Sequence, residues 1–194
     1  MVPNYIGLNT DKQYSIMGKT TFLFLVITFL SGTACKDNNG RQVQDSPTID
    51  AQTAESLKEA SKNYLKAWSN NDTALIKEIA IRNVVRNVNG EITSSDQNGL
   101  NKTMDYWHTA LPDFKVVENE IIAQGNRCYV NWTSNGTNTG MLGEMTPTGK
   151  KSETVGFSVL TFDDKGQLIH ESAFFDMLGV MEDWGYTLIP PHLE

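Results

Sequence analysis

Hydrophobic positions recur along this chain at two periods, and the change of period divides it. From residue 51 to 69, Leu57, Ala60, Tyr64 and Trp68 return every three or four residues, the stripe of an amphipathic helix. Asp50 suits its N-cap, and Ser69-Asn70-Asn71 ends it. Asp72 opens a second, short helix with Leu75, Ile76 and Ile79 on one side. The brief break between the two predicts a corner of packed neighbours. Residues 81 to 88, rich in valine, predict a short strand closed by the turn signal Asn89-Gly90. Ser95 suits the cap of a third helix over about 96 to 110, with Leu100, Met104, Trp107 and Leu111 as its stripe and Pro112 as its stop.

The period then falls to two. Phe114 to Ile122, Arg127 to Thr139, Lys151 to Phe162 and Gln167 to Met177 read as long strands. They are separated by Gly125-Asn126, a Gly- and Pro-containing connection at 140–149, and the turn Asp163-Asp164-Lys165-Gly166. In the second strand Cys128, Val130 and Trp132 share one face, and Tyr129, Asn131 and Thr133 the other. Val180 to Trp184 adds a helical turn. Helices first and antiparallel strands later predict an α+β fold. Long strands twist, so the expectation is a strongly curved antiparallel sheet covered by three N-terminal helices, with a cone-shaped cavity between them.

The start of the chain follows neither period. Met17-Gly18-Lys19 leads into the apolar run Phe22 to Leu30 and then Ser31-Gly32-Thr33-Ala34-Cys35. The run is shorter than the roughly 20 residues that span a bilayer and has the layout of an export signal. Leu30 to Cys35 resembles a bacterial lipoprotein signal, which implies cleavage before Cys35 and its lipidation. Lys36-Asp37 resembles the start of surface-directed lipoproteins of some Gram-negative bacteria. This implies a cell-envelope protein, lipid-anchored to the outer membrane on its periplasmic or surface face. The expected organisation is an upstream extension at 1–16 with Met17 as the start, a signal at 17–34, a polar tether at 35–50 and one domain at 51–187. With Cys35 acylated, Cys128 has no partner, so no disulfide framework is expected and Cys128 reads as a small buried hydrophobe.

The formal net charge is −7, with lysines and arginines scattered among the acids. Nucleic-acid backbones call for clustered positive charge, so no nucleic-acid partner is expected. No spacing of His, Asp, Glu or Cys suits a metal, and no cofactor is expected.

Several ordered motifs resemble the SnoaL-like polyketide cyclase branch of the nuclear transport factor 2-like superfamily. They are Tyr106 to Phe114 with its Ala-Leu-Pro-Asp step, Trp132 to Thr137, and Thr146-Pro147-Thr148-Gly149-Lys150. Gly156-Phe157-Ser158-Val159, Gly166 to Glu171, Asp176 and Leu178-Gly179 complete the set, which spans about residues 53 to 185. The resemblance implies an NTF2-like cone. It also implies that Asp176 acts as acid and base on a carbonyl compound. The chain departs from the pattern at Ser172, where many members carry tryptophan, and at Glu182-Asp183-Trp184-Gly185.

Candidate chemistry rests on few groups. Asp176, among Phe174, Phe175 and Met177, suits either a desolvated acid–base in a cavity or the cap of the turn that follows. His108 beside Trp107 suits a proton-sharing partner at the cavity mouth or a residue flanking the helix stripe. Trp107, Tyr129, Trp132, Phe157, His170 and Phe174 are the candidate pocket lining; His192, in the tail, has no role. Strand alternation places His170, Ser172, Phe174 and Asp176 on one face, and Glu171, Ala173, Phe175 and Met177 on the other. Three functions fit: a cyclase, isomerase or lyase acting on a small carbonyl compound, a non-catalytic lipoprotein binding a hydrophobic small molecule, or a partner-binding domain that dimerises through its sheet.

Overall fold

The computed structural model describes residues 50–189. The signal, Met17, Cys35, nearly all of the tether and His192 lie outside the described residues. Among the described residues, no helix is long and apolar enough to cross a membrane.

Helix α1 (Ala51–Asn70) starts where the Asp50 carboxylate accepts a hydrogen bond from the Thr53 N–H, and it ends at Asn71 in the left-handed conformation. Asp72 caps α2 (Thr73–Ile79) in the same way. Strand β1 (Ala80–Val88) turns through Asn89 and Gly90, both at positive φ, into β2 (Glu91–Ser94), a strand the hydrophobic pattern did not indicate. Helix α3 (Gln97–Ala110) is capped by Asp96 and not by Ser95. Four strands follow: β3 (Lys115–Gln124), β4 (Arg127–Thr137), β5 (Lys151–Phe162) and β6 (Leu168–Phe175). The last element is α4 (Met177–Asp183).

All six strands form one sheet in the order β2-β1-β6-β5-β4-β3. The pairings are antiparallel except that of β1 with β6, which is parallel. This corrects the expected architecture on three points. The sheet is open: its edge strands β2 and β3 are not paired with each other, so it is not the strongly curved cone expected. It is not wholly antiparallel, because β6 returns beside β1 in the same direction. Four helices, not three, accompany it, since Asp176 ends β6 and caps α4 at the C-terminal side. The α+β class stands.

Helix α1 lies against the inner face of the sheet. The Ser69 hydroxyl fastens its end to β3, donating to the Val116 carbonyl at 2.7 Å and accepting from the Val116 N–H at 2.9 Å. The core gathers Leu57, Tyr64 and Leu65 of α1, Leu100 and Met104 of α3, and Val130 and Leu160 of the sheet. Each fully buried side chain of this size contributes about 1.5–3 kcal/mol. Cys128 is completely buried there, and burial pushes its thiol up from its ordinary value. A separate, smaller apolar cluster joins Leu111, Leu142, Val180 and Trp184, seating α4 beside the end of α3. The Trp184 indole N–H donates to the Ser152 hydroxyl at 3.0 Å, tying the helix end to β5.

Candidate functional site

Parallel pairing places Arg86 of β1 directly beside Glu171 of β6 on the inner face. Both are buried, with 7% and 4% of their surface exposed. The Arg86 Nε–H donates to Glu171 Oε2 at 2.7 Å. The Tyr64 hydroxyl, from α1, donates to the same oxygen at 2.5 Å, and the Ser158 hydroxyl, from β5, donates to Oε1 at 2.8 Å. The Trp132 indole N–H in turn donates to the Ser158 oxygen at 3.0 Å. Two buried opposite charges are tolerated when paired and hydrogen-bonded in this way.

The Trp68 ring covers the Arg86 guanidinium, its centroid 4.7 Å from Cζ. Its own N–H is buried without a hydrogen-bond partner among the described residues. Burial above all, then the Glu171 charge, pushes the Tyr64 hydroxyl well above its ordinary value, with Arg86 opposing. Tyr64 therefore stays protonated and remains a donor to Glu171.

Arg86 and Glu171 form the floor of a cavity of about 60 Å³. Its walls are mostly apolar: Trp68 from α1, Trp107 and Leu111 from the end of α3, Trp132 from β4, Phe175 from β6 and Val180 from α4. Phe175 stands between two of the indoles, its centroid 6.1 Å from that of Trp107 and 6.1 Å from that of Trp132. Gly156 makes this arrangement possible. A Cβ there would lie 2.1 Å from Cη2 of Trp132, so the indole lies flat over the glycine. The remaining wall carries hydroxyls, with Ser134 of β4 opposite Thr154 of β5.

Residues 58–184 match the model of the SnoaL-like polyketide cyclase family. The chain belongs to that family. No curated protein matches it by sequence. Among solved structures, a SnoaL-like protein of Jannaschia sp. CCS1 is similar at 16% identity and a TM-score of 0.64, covering 74% of this chain and 99% of the other. AclR of Streptomyces galilaeus is similar at 21% identity and a TM-score of 0.62, covering 72% and 87%. TsrD of Streptomyces laurentii is similar at 14% identity and a TM-score of 0.61, covering 71% and 98%. These identities establish a shared fold.

Within this SnoaL-like domain the residues singled out from sequence separate. Trp107 and Trp132 line the cavity. Tyr129, Phe157, His170 and Phe174 do not. They lie on the outer face of the sheet, where Tyr129 packs on Phe157 at 6.4 Å and Phe157 stands opposite Phe174. Asp176 is exposed and caps α4, its Oδ1 accepting from the Gly179 N–H at 2.9 Å; it is not among the cavity-lining residues. The cap, one of its two sequence readings, is the role it has here. His108 also lies outside the lining. Its Nε2–H donates to the Trp68 carbonyl at 2.7 Å, and its ring packs edge-on against Phe114, so it joins α3 to α1.

The residues that sequence reasoning missed are Tyr64, Arg86, Ser158 and Glu171. The alternation of β6 had separated the right set, with Glu171, Ala173 and Phe175 together; it is this set that faces inward. The usable signal was the neighbouring strand: Gly156, Ser158 and Leu160 of β5 alternate small and apolar, which marks the face packed against Trp132. Among the described residues, no group of three or more His, Cys, Asp or Glu is arranged to hold a metal ion.

Proposed function

We propose that this SnoaL-like domain binds a small hydrophobic molecule in the cavity over Arg86 and Glu171, and that proton-transfer chemistry of the cyclase, isomerase or lyase type belongs to that floor. One observation supports the reading above others: aromatic walls converge on a buried, hydrogen-bonded ion pair. Ligand sites combine an apolar lining with a few placed polar groups in this manner. Glu171 is the lining carboxylate, so it, and not the exposed Asp176, is our candidate acid–base group. The test is a thermal-shift screen of the full chain with small aromatic and aliphatic compounds. A ligand at a hundredfold excess over its dissociation constant adds about 2.7 kcal/mol of stability. The reading predicts such ligands, and predicts that Trp132→Ala abolishes their shifts while Asp176→Asn keeps them. Shifts that persist in Trp132→Ala would place binding elsewhere.

A second reading has its own support. On the outer face Val155 and Phe157 of β5 and Phe174 of β6 are exposed together, and Val117 and Ile122 of β3 are exposed beyond the polar Asn131 and Thr133 of β4. Exposed aromatic and apolar side chains grouped on one face suit an interface, and we assign this one to a second copy of this chain. Sedimentation velocity checks it: Phe157→Lys is expected to turn a dimer into a monomer, and a wild-type monomer at high concentration contradicts it. The layout from Met17 to Cys35 supports an exported lipoprotein with Cys35 acylated. Mass spectrometry of the mature N-terminus decides that point.

A further inference from the structure

We infer that α4 is a hinged lid: it leaves its seat as one unit about the joint between Phe175 and Asp176, and this motion opens the cavity. The lid is a property of how α4 packs and does not depend on what the cavity binds.

Helix α4 is seated apart from the main core. Val180 and Trp184 belong to the smaller apolar cluster. Among the described residues, only Trp107 and Phe114 pack against both clusters, and both are themselves partly buried. An isolated helix shorter than about 12–15 residues is marginal in water. With seven residues, Gly179 among them, α4 persists only through its seat. Met177 and Met181 of α4, and Met145 of the connection before β5, pack around that seat. Unbranched, adaptable methionine side chains suit a contact that parts and re-forms.

The ties of α4 to the sheet lie at its two ends. Asn89 clamps the last residue of β6 through both backbone groups. Its side-chain amide donates to the Phe175 carbonyl at 3.1 Å, and its side-chain oxygen accepts from the Phe175 N–H at 3.2 Å. The chain is thus fixed up to Phe175. The Asp176 cap just beyond bonds within α4 and holds nothing of the sheet. At the far end, the Trp184 indole N–H donates to the Ser152 hydroxyl at 3.0 Å, and the Asp183 carboxylate accepts from the Glu153 N–H at 3.3 Å. Among the described residues, no other hydrogen bond joins residues 177–186 to the rest of the domain. A fixed point at one end and two bonds to one short stretch of β5 at the other make a hinge and a latch.

Val180 is the one residue of α4 in the cavity lining, where it stands with Leu111 of the same apolar cluster. The latch residue Ser152 lines the same cavity. Lifting α4 takes this wall away and breaks no strand pairing.

Native-state hydrogen exchange of the full chain, followed by NMR, tests the lid, because local openings expose amides without global unfolding. The Val180, Trp184 and Tyr186 amides bond to carbonyls within the unit. They are expected to exchange through one common opening, at least about a hundredfold faster than the amides of β4 and β5. Ser152→Ala removes the latch acceptor, so the same amides should exchange about three- to tenfold faster while those of β4 and β5 are unchanged. The tryptophans give a second readout. In Trp184→Phe the three that remain, Trp68, Trp107 and Trp132, all line the cavity, so acrylamide quenching reports access to it. Adding Val180→Asp puts a charge into the seat and is expected to raise that quenching at least about twofold, with the circular dichroism of the sheet retained. Exchange of the α4 amides only together with the sheet overturns the inference. So does protection that falls steadily from Val180 to Tyr186, as in a fraying end, or no response to Ser152→Ala. Unchanged quenching in a folded Val180→Asp variant overturns it as well; if that variant does not fold, the exchange measurements decide. None of these outcomes touches the small-molecule reading, which fails instead on the absence of ligands.

Discussion

Breaking the Arg86–Glu171 pair from one side should cost more stability than its two charges removed together would suggest. Arg86→Met leaves the Glu171 carboxylate charged, with its side chain only 5% exposed, and costs about 3–5 kcal/mol. Glu171→Leu strands the guanidinium and also leaves the Tyr64 and Ser158 hydroxyls without their acceptor. That adds about 1–3 kcal/mol for each hydroxyl that finds no substitute, so this single variant is the worse of the two. The double variant strands no charge. Its cost is confined to the two hydroxyls, about 2–6 kcal/mol together, because replacing a buried pair by apolar groups of similar volume is often neutral. The hydroxyl cost cancels in the cycle, which therefore predicts a coupling energy of about 6–10 kcal/mol, the sum of the two stranding costs, with the double variant more stable than Glu171→Leu. Urea unfolding followed by circular dichroism measures all four corners. Against a total stability of about 5–15 kcal/mol, the single variants are read at low denaturant or by thermal melting. Additive single and double costs, with coupling under about 1 kcal/mol, would refute the claim that the two side chains form one buried unit.

Two further perturbations follow from the same geometry. Tyr64→Phe removes a hydrogen bond to a charged acceptor and is expected to cost about 1.5–3 kcal/mol by denaturant unfolding. Because the folded state holds the Tyr64 proton well above the ordinary value of 10.0, wild-type stability from this group is complete below that pH and is lost as pH rises beyond it. Tyr64→Phe should lack this part of the alkaline loss; identical pH profiles would contradict the buried hydroxyl. Gly156→Ala drives a methyl group to 2.1 Å from the Trp132 ring and is expected to cost about 1–3 kcal/mol, with a changed Trp132 indole resonance and weakened ligand binding. An unperturbed indole would show that the ring does not lie over Gly156.

The helices were legible in the sequence because their information is local. Leu57, Tyr64 and Trp68 lie on one stripe, and Asp50 and Asp72 are caps within three residues of the N–H groups they satisfy. The alternation of β4 was equally plain: Cys128, Val130 and Trp132 are all buried. The floor of the cavity was not legible, because the residues that meet there are remote along the chain. Arg86 and Glu171 are 85 residues apart, and Tyr64 and Glu171 107 apart. Only the parallel pairing of β1 with β6 brings the first pair together. Strand β6 carries an aromatic on each face, Phe174 outward and Phe175 inward, so period two divides its residues without saying which set is inside. The register shift between Thr161 and Phe162 further blurs the phase at its start. Asp176 drew attention through its aromatic neighbours, but it lies one residue past the strand, where the Gly179 N–H takes its carboxylate.

The central claim is that the space over Arg86 and Glu171 receives a ligand, and the four tryptophans of the chain can report on it separately. Trp68, Trp107 and Trp132 line the cavity; Trp184 lies in the neighbouring apolar cluster, bonded to Ser152. Titration of indole-¹⁵N-labelled full chain with acetophenone should move the Trp68, Trp107 and Trp132 resonances saturably, and by more than that of Trp184. No saturable movement of those three, or a response confined to Trp184, would contradict the account.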